Sequence, residues 1–309
     1  MEDSMEFLKF LQSIRTPIGD FLMSTITHLG EETLFMAVGL LFLWCIDKKR
    51  GYYILFTGFT GTIFIQFFKI TFRIPRPWVL DPSFQIVESA RLEATGYSFP
   101  SGHTQCATTL YGGIARSEKK RKWLMWSSIA AVVLIAFSRM YLGVHTPADV
   151  LSSLVIGIIL VLVLYPLMMK EHKTPWVMYG TLGVIFLITL ANLLYVSLYS
   201  FPADIDVTNL ESAVENAWKL FGVVVGMCII YPVESKWIRY DTNAVWWAQL
   251  IKFFGGLIPV ILIKSLLKSP LQALLGAAVG DCVRYLLLVL AAGLLWPLTF
   301  RYFSKLGEK

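Results

Sequence analysis

The chain has 309 residues, 56% of them hydrophobic and only 16% charged, with a formal net charge of +6 and a mean hydropathy of +0.63. Soluble domains carry about 25% charged residues, so the composition excludes an ordinary soluble protein and points to an all-α, polytopic membrane helical bundle. The basic residues cluster in short loops between apolar runs, the positive-inside pattern, so the charge does not imply a nucleic-acid partner.

Residues 5–30 mix apolar and polar positions at helical spacing and are interrupted by Pro17 and Gly19. They read as one or two amphipathic segments lying in the membrane interface, with His28 a surface or interfacial histidine. The start is acidic (Glu2, Asp3, Glu6), without a basic n-region or a small-residue cleavage site, so no cleavable signal peptide is expected. The first predicted span, about 32–46, ends at Asp47-Lys48-Lys49-Arg50, and the second covers about 51–72. A polar connection, about 73–99, follows. It exceeds the length at which structureless loops become uncommon, and Trp78, Phe84, Tyr97 and Phe99 give it anchors at headgroup depth.

The third span, about 102–116, is weakly apolar and runs into the basic stretch 116–122. The fourth (about 123–142), fifth (about 147–169), sixth (about 175–199), seventh (about 217–232), eighth (about 245–267) and ninth (about 271–300) complete the chain. Basic residues follow spans one, three, five (Lys170-Glu171-His172-Lys173) and seven (Glu234 to Arg239), and they recur in the tail from Arg301. Asp204, Asp206, Glu211 and Glu215 fall on the opposite side. About nine transmembrane helices are therefore expected, with the N-terminus outside and the C-terminus cytoplasmic. Lys264 and Lys268 fall on the outer side, where snorkelling accommodates them. The expected division is an interfacial segment (1–30), a catalytic membrane core (31–170) and additional transmembrane helices (171–309).

Cys45, Cys106, Cys228 and Cys282 lie within apolar runs and read as small buried hydrophobes. No CxxC spacing indicates a zinc site or a disulfide framework. Asp281 and Arg284 are three apart in the ninth span, so they pair on one helix face or mark a second site or transport path. Asn192 is a candidate for interhelical hydrogen bonding.

Three polar blocks stand out against this background. Lys69 is followed by Arg76-Pro77, then Pro100-Ser101-Gly102-His103, then Ser138-Arg139, His145 and Asp149. The predicted topology brings Arg76, His103 and His145 to the non-cytoplasmic face. Phosphoryl transfer needs cations on the phosphate oxygens, a nucleophile and a proton donor for the leaving group. Lys69, Arg76 and Arg139 are candidate phosphate ligands; each has a plain alternative as a snorkelling cation, and Arg73 reads as a flanking charge. Ser101 suits a helix cap and Gly102 a close backbone approach, at a helix end whose free N–H groups suit an anion. Thr146 reads as N-cap, Pro147 as N1 and Asp149 as N3, so Asp149 either closes a capping box, orients His145, or does both. Two histidines then divide the work, one attacking phosphorus and the other handling protons. Every part is available without a metal or another cofactor.

These blocks, Lys-x6-Arg-Pro, Pro-Ser-Gly-His and Ser-Arg-x5-His-x3-Asp, resemble the signature of the type 2 phosphatidic acid phosphatase superfamily, over residues 69–149. The resemblance implies that His145 is the nucleophile and Asp149 its partner. It implies that His103 is general acid and then base, and that Lys69, Arg76 and Arg139 bind phosphate with help from Ser101 and the Gly102 amide. No metal is implied. The nine-span layout is similar to the glucose-6-phosphatase and sphingosine-phosphate phosphatase branches. The expected activity is hydrolysis of a lipid phosphate or diphosphate (polyprenyl diphosphate, phosphatidic acid, phosphatidylglycerol phosphate or a sphingoid-base phosphate), on the periplasmic, exterior or lumenal side of what is expected to be a plasma membrane. A soluble sugar phosphate is also known in this family. The alternatives are a phosphotransferase with a lipid or sugar acceptor, and a transporter or scramblase carrying a remnant site. The tail Gly307-Glu308-Lys309 is not a KDEL-type address.

Overall fold

A computed structural model describes residues 2–169 and 176–306, and every regular element among them is helical. The chain divides into two compact units. The first comprises Met1–Ala37, Tyr53–Pro166 and Asp206–Asn209; the second comprises Val38–Tyr52, Leu167–Ile205 and Leu210–Lys309.

In the first unit, α1 (Glu2–Ser13) and α2 (Pro17–Thr27) are separate helices. Pro17, which interrupts the sequence periodicity, is the first residue of α2, where its missing N–H costs nothing. Thr16 caps the helix, its Oγ1 accepting from Gly19 N at 3.1 Å. Leu8 and Leu11 on α1 are buried in a cluster with Phe84, Ile86, Ala90, Ala94, Tyr141, Leu142 and Val144. Full burial of a leucine stabilises by about 1.5–3 kcal/mol, so this cluster fastens the 73–99 connection to α1. The connection is folded: it contains α5 (Pro77–Leu80) and a 3-10 turn, Glu88–Ala90, and Val87 N donates to Leu142 O at 3.1 Å.

The long helices of this unit are α4 (Lys48–Phe72), α6 (Gly102–Ser117), α7 (Lys122–Tyr141) and α8 (Pro147–Met169). Polar side chains inside α4 satisfy themselves locally, as an apolar surrounding demands. Thr57 donates to Tyr53 O at 2.6 Å and Thr60 to Phe56 O at 2.7 Å. Tyr53 Oη donates to Val161 O at 2.8 Å, linking α4 to α8, and Gln105 Nε2 donates to Gly58 O at 3.3 Å, linking α6 to α4. Helix α7 ends at Gly143, whose φ of +81° only glycine adopts readily. Gly143 N returns to Met140 O and Val144 N to Arg139 O, a helix stop that brings His145 and the start of α8 directly after α7.

The second unit contains α9 (Trp176–Leu198), α10 (Val207–Val233), α11 (Trp246–Leu266), α12 (Lys268–Leu275) and α13 (Ala277–Leu290). Glu234, expected in a loop, is buried in a π-helical turn that extends α10 to Ile238. Lys48 Nζ donates to it at 2.6 Å, which explains how the protein interior tolerates the carboxylate. The predicted ninth span is broken by Gly276 at φ +82°, so α12 is separate from α13. Arg284 Nη2 donates to Asp281 Oδ1 at 2.6 Å, the expected pair on one helix face. Asn192 is buried, but its Oδ1 has no partner among the described residues. All four cysteines are free.

Seven stretches are long and apolar enough to cross a membrane: Lys48–Leu80, Lys122–Tyr141, Pro147–Met169, Trp176–Leu198, Val207–Ile238, Trp246–Leu266 and Ala277–Phe303. Pro17–Gly30 and Glu32–Ile46, bent by 49°, qualify together as an eighth. The expected count of nine is not reached among the described residues. The remaining expected span is α6, only 16 residues long and opening on Gly102, His103 and Thr104. The expected interfacial segment likewise divides: α1 packs onto the loop cluster, and α2 joins the bent pair. The basic loop Lys170 to Lys173 and residues 307–309 lie outside the described residues.

A Cβ at Gly143 would lie 2.7 Å from Arg15 Nη2 and 2.9 Å from the Phe84 ring. Gly143→Ala should therefore cost more than the ~1–2 kcal/mol of a left-handed alanine, read as a lower midpoint of thermal unfolding in detergent.

Candidate active site

Asp149 is the hub of the site. Its Oδ2 accepts from Ser98 Oγ at 2.6 Å and Thr146 N at 2.8 Å, and lies 3.3 Å from His145 Nδ1. Thr146 Oγ1 accepts from Asp149 N at 3.3 Å. The capping box and the histidine contact therefore coexist on one carboxylate. The side chain is 1% exposed, and hydrogen bonds are what make a buried charge tolerable.

His145 is held at both nitrogens. Nε2 lies 3.0 Å from Arg76 Nη1. A guanidinium only donates, so Nε2 carries the lone pair and Nδ1 the proton, directed at Asp149. Burial first, then Arg76, Arg139, Lys69 and His103, drives the His145 pKa well below the usual imidazole range. The ring is neutral at neutral pH, with its basic nitrogen beside Arg76.

Arg76 is itself clamped by backbone. Nε donates to Gly96 O at 3.0 Å, Nη2 to Thr95 O at 2.7 Å and Nη1 to Val144 O at 2.9 Å. Lys69 Nζ donates to Tyr97 O, so the second predicted cation is moored to the same loop stretch. Arg139 is fully buried; Nη1 donates to Thr27 Oγ1 at 2.7 Å, and Nε has no partner among the described residues. Lys69 and Arg76 lie within electrostatic reach of each other, and each lies within reach of Arg139 and Asp149.

Ser101 caps α6 as expected: its Oγ accepts from Thr104 N at 3.4 Å and from Thr104 Oγ1 at 3.0 Å. Ser101 N donates to Asp149 O at 3.2 Å, which ties the second block to the third. A Cβ at Gly102 would meet nothing within 4 Å, and its φ is not positive. Neither packing nor backbone geometry asks for glycine here, and a side chain would project into the open space above the first turn of α6. The Phe99–Pro100 peptide just before it is cis.

His103 Nε2 lies 3.3 Å from Glu93 Oε2, without the alignment of a hydrogen bond. Glu93 Oε1 lies 3.3 Å from His28 Nδ1, and His28 Nδ1 also contacts Glu31. His28, Glu31 and Glu93 present three potential metal-ligand atoms within 4.8 Å of one another. Arg139 is within electrostatic reach of both carboxylates, so the two negative charges already face one guanidinium and two imidazoles.

All eight predicted site residues thus lie in the first unit. Sequence reasoning missed Ser98, Thr27, Glu31 and Glu93; His28 is exposed, as expected of a surface histidine, but its contact with Glu93 was not foreseen. Ser98 had no spacing signal because its partner Asp149 is reached only through folding. Glu93 and His28 looked like ordinary polar residues of a loop and of a helix end.

A model of the PAP2 superfamily matches residues 49–173, and a model described as the transmembrane extension of PAP2 superfamily phosphatases matches residues 218–309. The undecaprenyl-diphosphatase BcrC of Bacillus subtilis is 32% identical over 128 residues, 40% of this chain and 63% of that protein. Phosphatidylglycerophosphatase B of the same organism is 26% identical over 162 residues, 48% of this chain and 74% of that protein. A dihydrosphingosine 1-phosphate phosphatase of Schizosaccharomyces pombe is 25% identical over 282 residues, 86% of this chain and 66% of that protein. The chain thus spans just under two thirds of the length of BcrC. No solved structure matches the chain.

Asp149→Asn preserves size but removes the charge from three donors. It should slow turnover about a hundredfold or more, by analogy with triad carboxylates, and lower stability by about 1–3 kcal/mol. Steady-state kinetics and thermal unfolding of the same preparation read the two effects.

Proposed function

The chain belongs to the PAP2 superfamily, and from that premise we propose that it is a membrane phosphatase that hydrolyses the phosphate or diphosphate of a lipid by a metal-independent phosphohistidine route. The observation that carries the reading is the posture of His145: its proton faces Asp149 and its lone pair faces Arg76. A neutral imidazole oriented at one nitrogen and carrying its lone pair on the other is what nucleophilic catalysis requires, and the incoming phosphate takes over the Arg76 contact of Nε2.

The reaction runs in two halves. His145 Nε2 attacks phosphorus; an N–P bond forms as the bond to the leaving oxygen breaks, and protonated His103 supplies the proton that oxygen needs. Water then attacks the phosphohistidine, His103 takes a proton from it, the N–P bond breaks, and inorganic phosphate leaves. Arg76, Arg139 and Lys69, with Ser101 and the Gly102 amide at the N-terminus of α6, stabilise the phosphate oxygens. Nδ1–H to Asp149 offsets the positive charge that appears on His145 during attack.

A lipid substrate is supported by relatives named for undecaprenyl diphosphate, phosphatidylglycerol phosphate and dihydrosphingosine 1-phosphate. The positive-inside distribution supports a site on the non-cytoplasmic side of the membrane.

The purified protein should release inorganic phosphate from at least one member of a panel of undecaprenyl diphosphate, phosphatidic acid, phosphatidylglycerol phosphate and sphingoid-base phosphate. Added acceptors that take up the phosphate in place of water would reassign it as a phosphotransferase. His145→Ala and His103→Ala should each reduce release to background while folding is retained; full activity in either refutes the assignment. Activity should persist in EDTA, and vanadate should compete with substrate.

A further inference from the structure

Each histidine of the site faces a carboxylate of its own. Asp149 faces His145, and Glu93, in the 73–99 connection, faces His103. The two oxygens of Glu93 address different imidazoles, Oε2 that of His103 and Oε1 that of His28, both at 3.3 Å. Glu31 contacts the same Nδ1 of His28, so this one nitrogen lies between the two carboxylates. We propose that Glu93 is a positioning residue for His103, and that His28 and Glu31 hold Glu93 in place from the N-terminal helices. The proposal rests on the reading of His103 as the proton carrier of a phosphatase.

Charge is the first argument. The charged and titratable groups around His103 are Arg139, Arg76, His145 and Glu93, and those facing Glu93 are His103, His28 and Arg139, with Glu31 across His28. Burial first, then Arg139 and to a lesser degree Arg76, hold the His103 imidazole down at about 4 in the absence of phosphate, opposing a positive charge on the ring. Glu93 is the carboxylate that favours it. The nearby His103, with His28 and Arg139, holds the Glu93 carboxyl well below the usual carboxylate range, against the contrary pull of burial. Glu93 therefore stays ionised throughout the range in which imidazoles titrate.

Packing is the second argument. The turn His28–Gly30 is pressed against the start of α6: a Cβ on Gly30 would lie 3.1 Å from His103 O and 2.7 Å from Ile135 Cγ2. Thr27, one residue earlier, accepts from the buried Arg139. Residues 27–31 thus touch two of the site's charged groups although they precede the region matched by the PAP2 model. An exposed ion pair on a loop contributes little and needs no particular partner. This one is only partly exposed, with side-chain exposure of 28% at Glu93 and 16% at His103, and its partner is a signature histidine.

In the first half of the reaction Glu93 favours the imidazolium that donates its proton. In the second half it stabilises the imidazolium formed when His103 takes a proton from water. Glu93 remains a carboxylate in both.

The test is a pH profile together with a histidine titration on the full chain in detergent. Glu93→Gln should lower kcat about tenfold to a hundredfold with KM little changed, and should move the alkaline limb of kcat down by about one pH unit. Glu93→Asp, which keeps the charge, should recover part of both. The protein has four histidines, so ring resonances can be assigned by single substitution. The His103 midpoint should fall by about one unit in Glu93→Gln and less in Glu93→Asp. An unmoved midpoint and limb in a folded Glu93→Gln protein overturn the proposal and leave Glu93 a structural residue. If the wild type releases no phosphate from any lipid, the phosphatase reading fails, and the midpoint still decides whether Glu93 governs His103. His28→Ala should cost a few-fold in kcat alone and nothing further in the Glu93→Gln background; additive losses would remove His28 from the proposal.

Discussion

The site depends on a single oxygen. Asp149 Oδ2 receives a hydroxyl from Ser98 and a backbone amide from Thr146, and faces a ring nitrogen of His145. These donors come from two places in the sequence: the loop before α6 and the α7–α8 turn that opens α8. A buried carboxylate with too few donors would be protonated or expelled, so the charge itself favours the meeting of the two segments. Helix capping and histidine orientation are one interaction seen from two sides. The α8 start is regular because Asp149 closes it, and His145 is fixed because α8 starts there.

Around that hub, main chain does much of the work that side chains are usually credited with. Carbonyls of Thr95, Gly96 and Tyr97 hold Arg76 and Lys69, and the same loop is fixed by apolar packing against α1. The amphipathic N-terminus therefore has a structural duty at the site. Its apolar face seats the loop, and its far end, from Thr27 to Glu31, approaches Arg139 and His103.

The sequence was readable where residues lie close together along the chain. The capping box at Thr146 and Asp149, the cap at Ser101 and the Asp281–Arg284 pair all depend on separations of three or four residues, and each has the geometry its spacing implies. The apolar runs likewise marked most long helices. What was hidden depends on contacts between distant segments. Glu234 looked like a loop charge because its partner Lys48 lies far away in the sequence. Glu93 looked like one of several loop acids, and His28 like a surface imidazole. Hydropathy miscounted where a helix is short and polar at its start, as α6 is, and misplaced a boundary where one glycine breaks a continuous apolar run, as Gly276 does.

Arg76 carries one more consequence. Its guanidinium is fixed by three backbone carbonyls and the His145 ring before any phosphate arrives. A side chain of this length ordinarily surrenders up to about 2 kcal/mol of rotamer freedom when a ligand immobilises it. Here folding has already exacted that loss. On the proposed phosphatase reading, the attraction between a phosphate and the guanidinium would not be consumed in ordering the arginine, and would remain for the moment when negative charge shifts as phosphorus passes between oxygen and nitrogen. The arginine is preorganised by main chain, so on that reading the site would favour the transition state without first having to grip its substrate tightly.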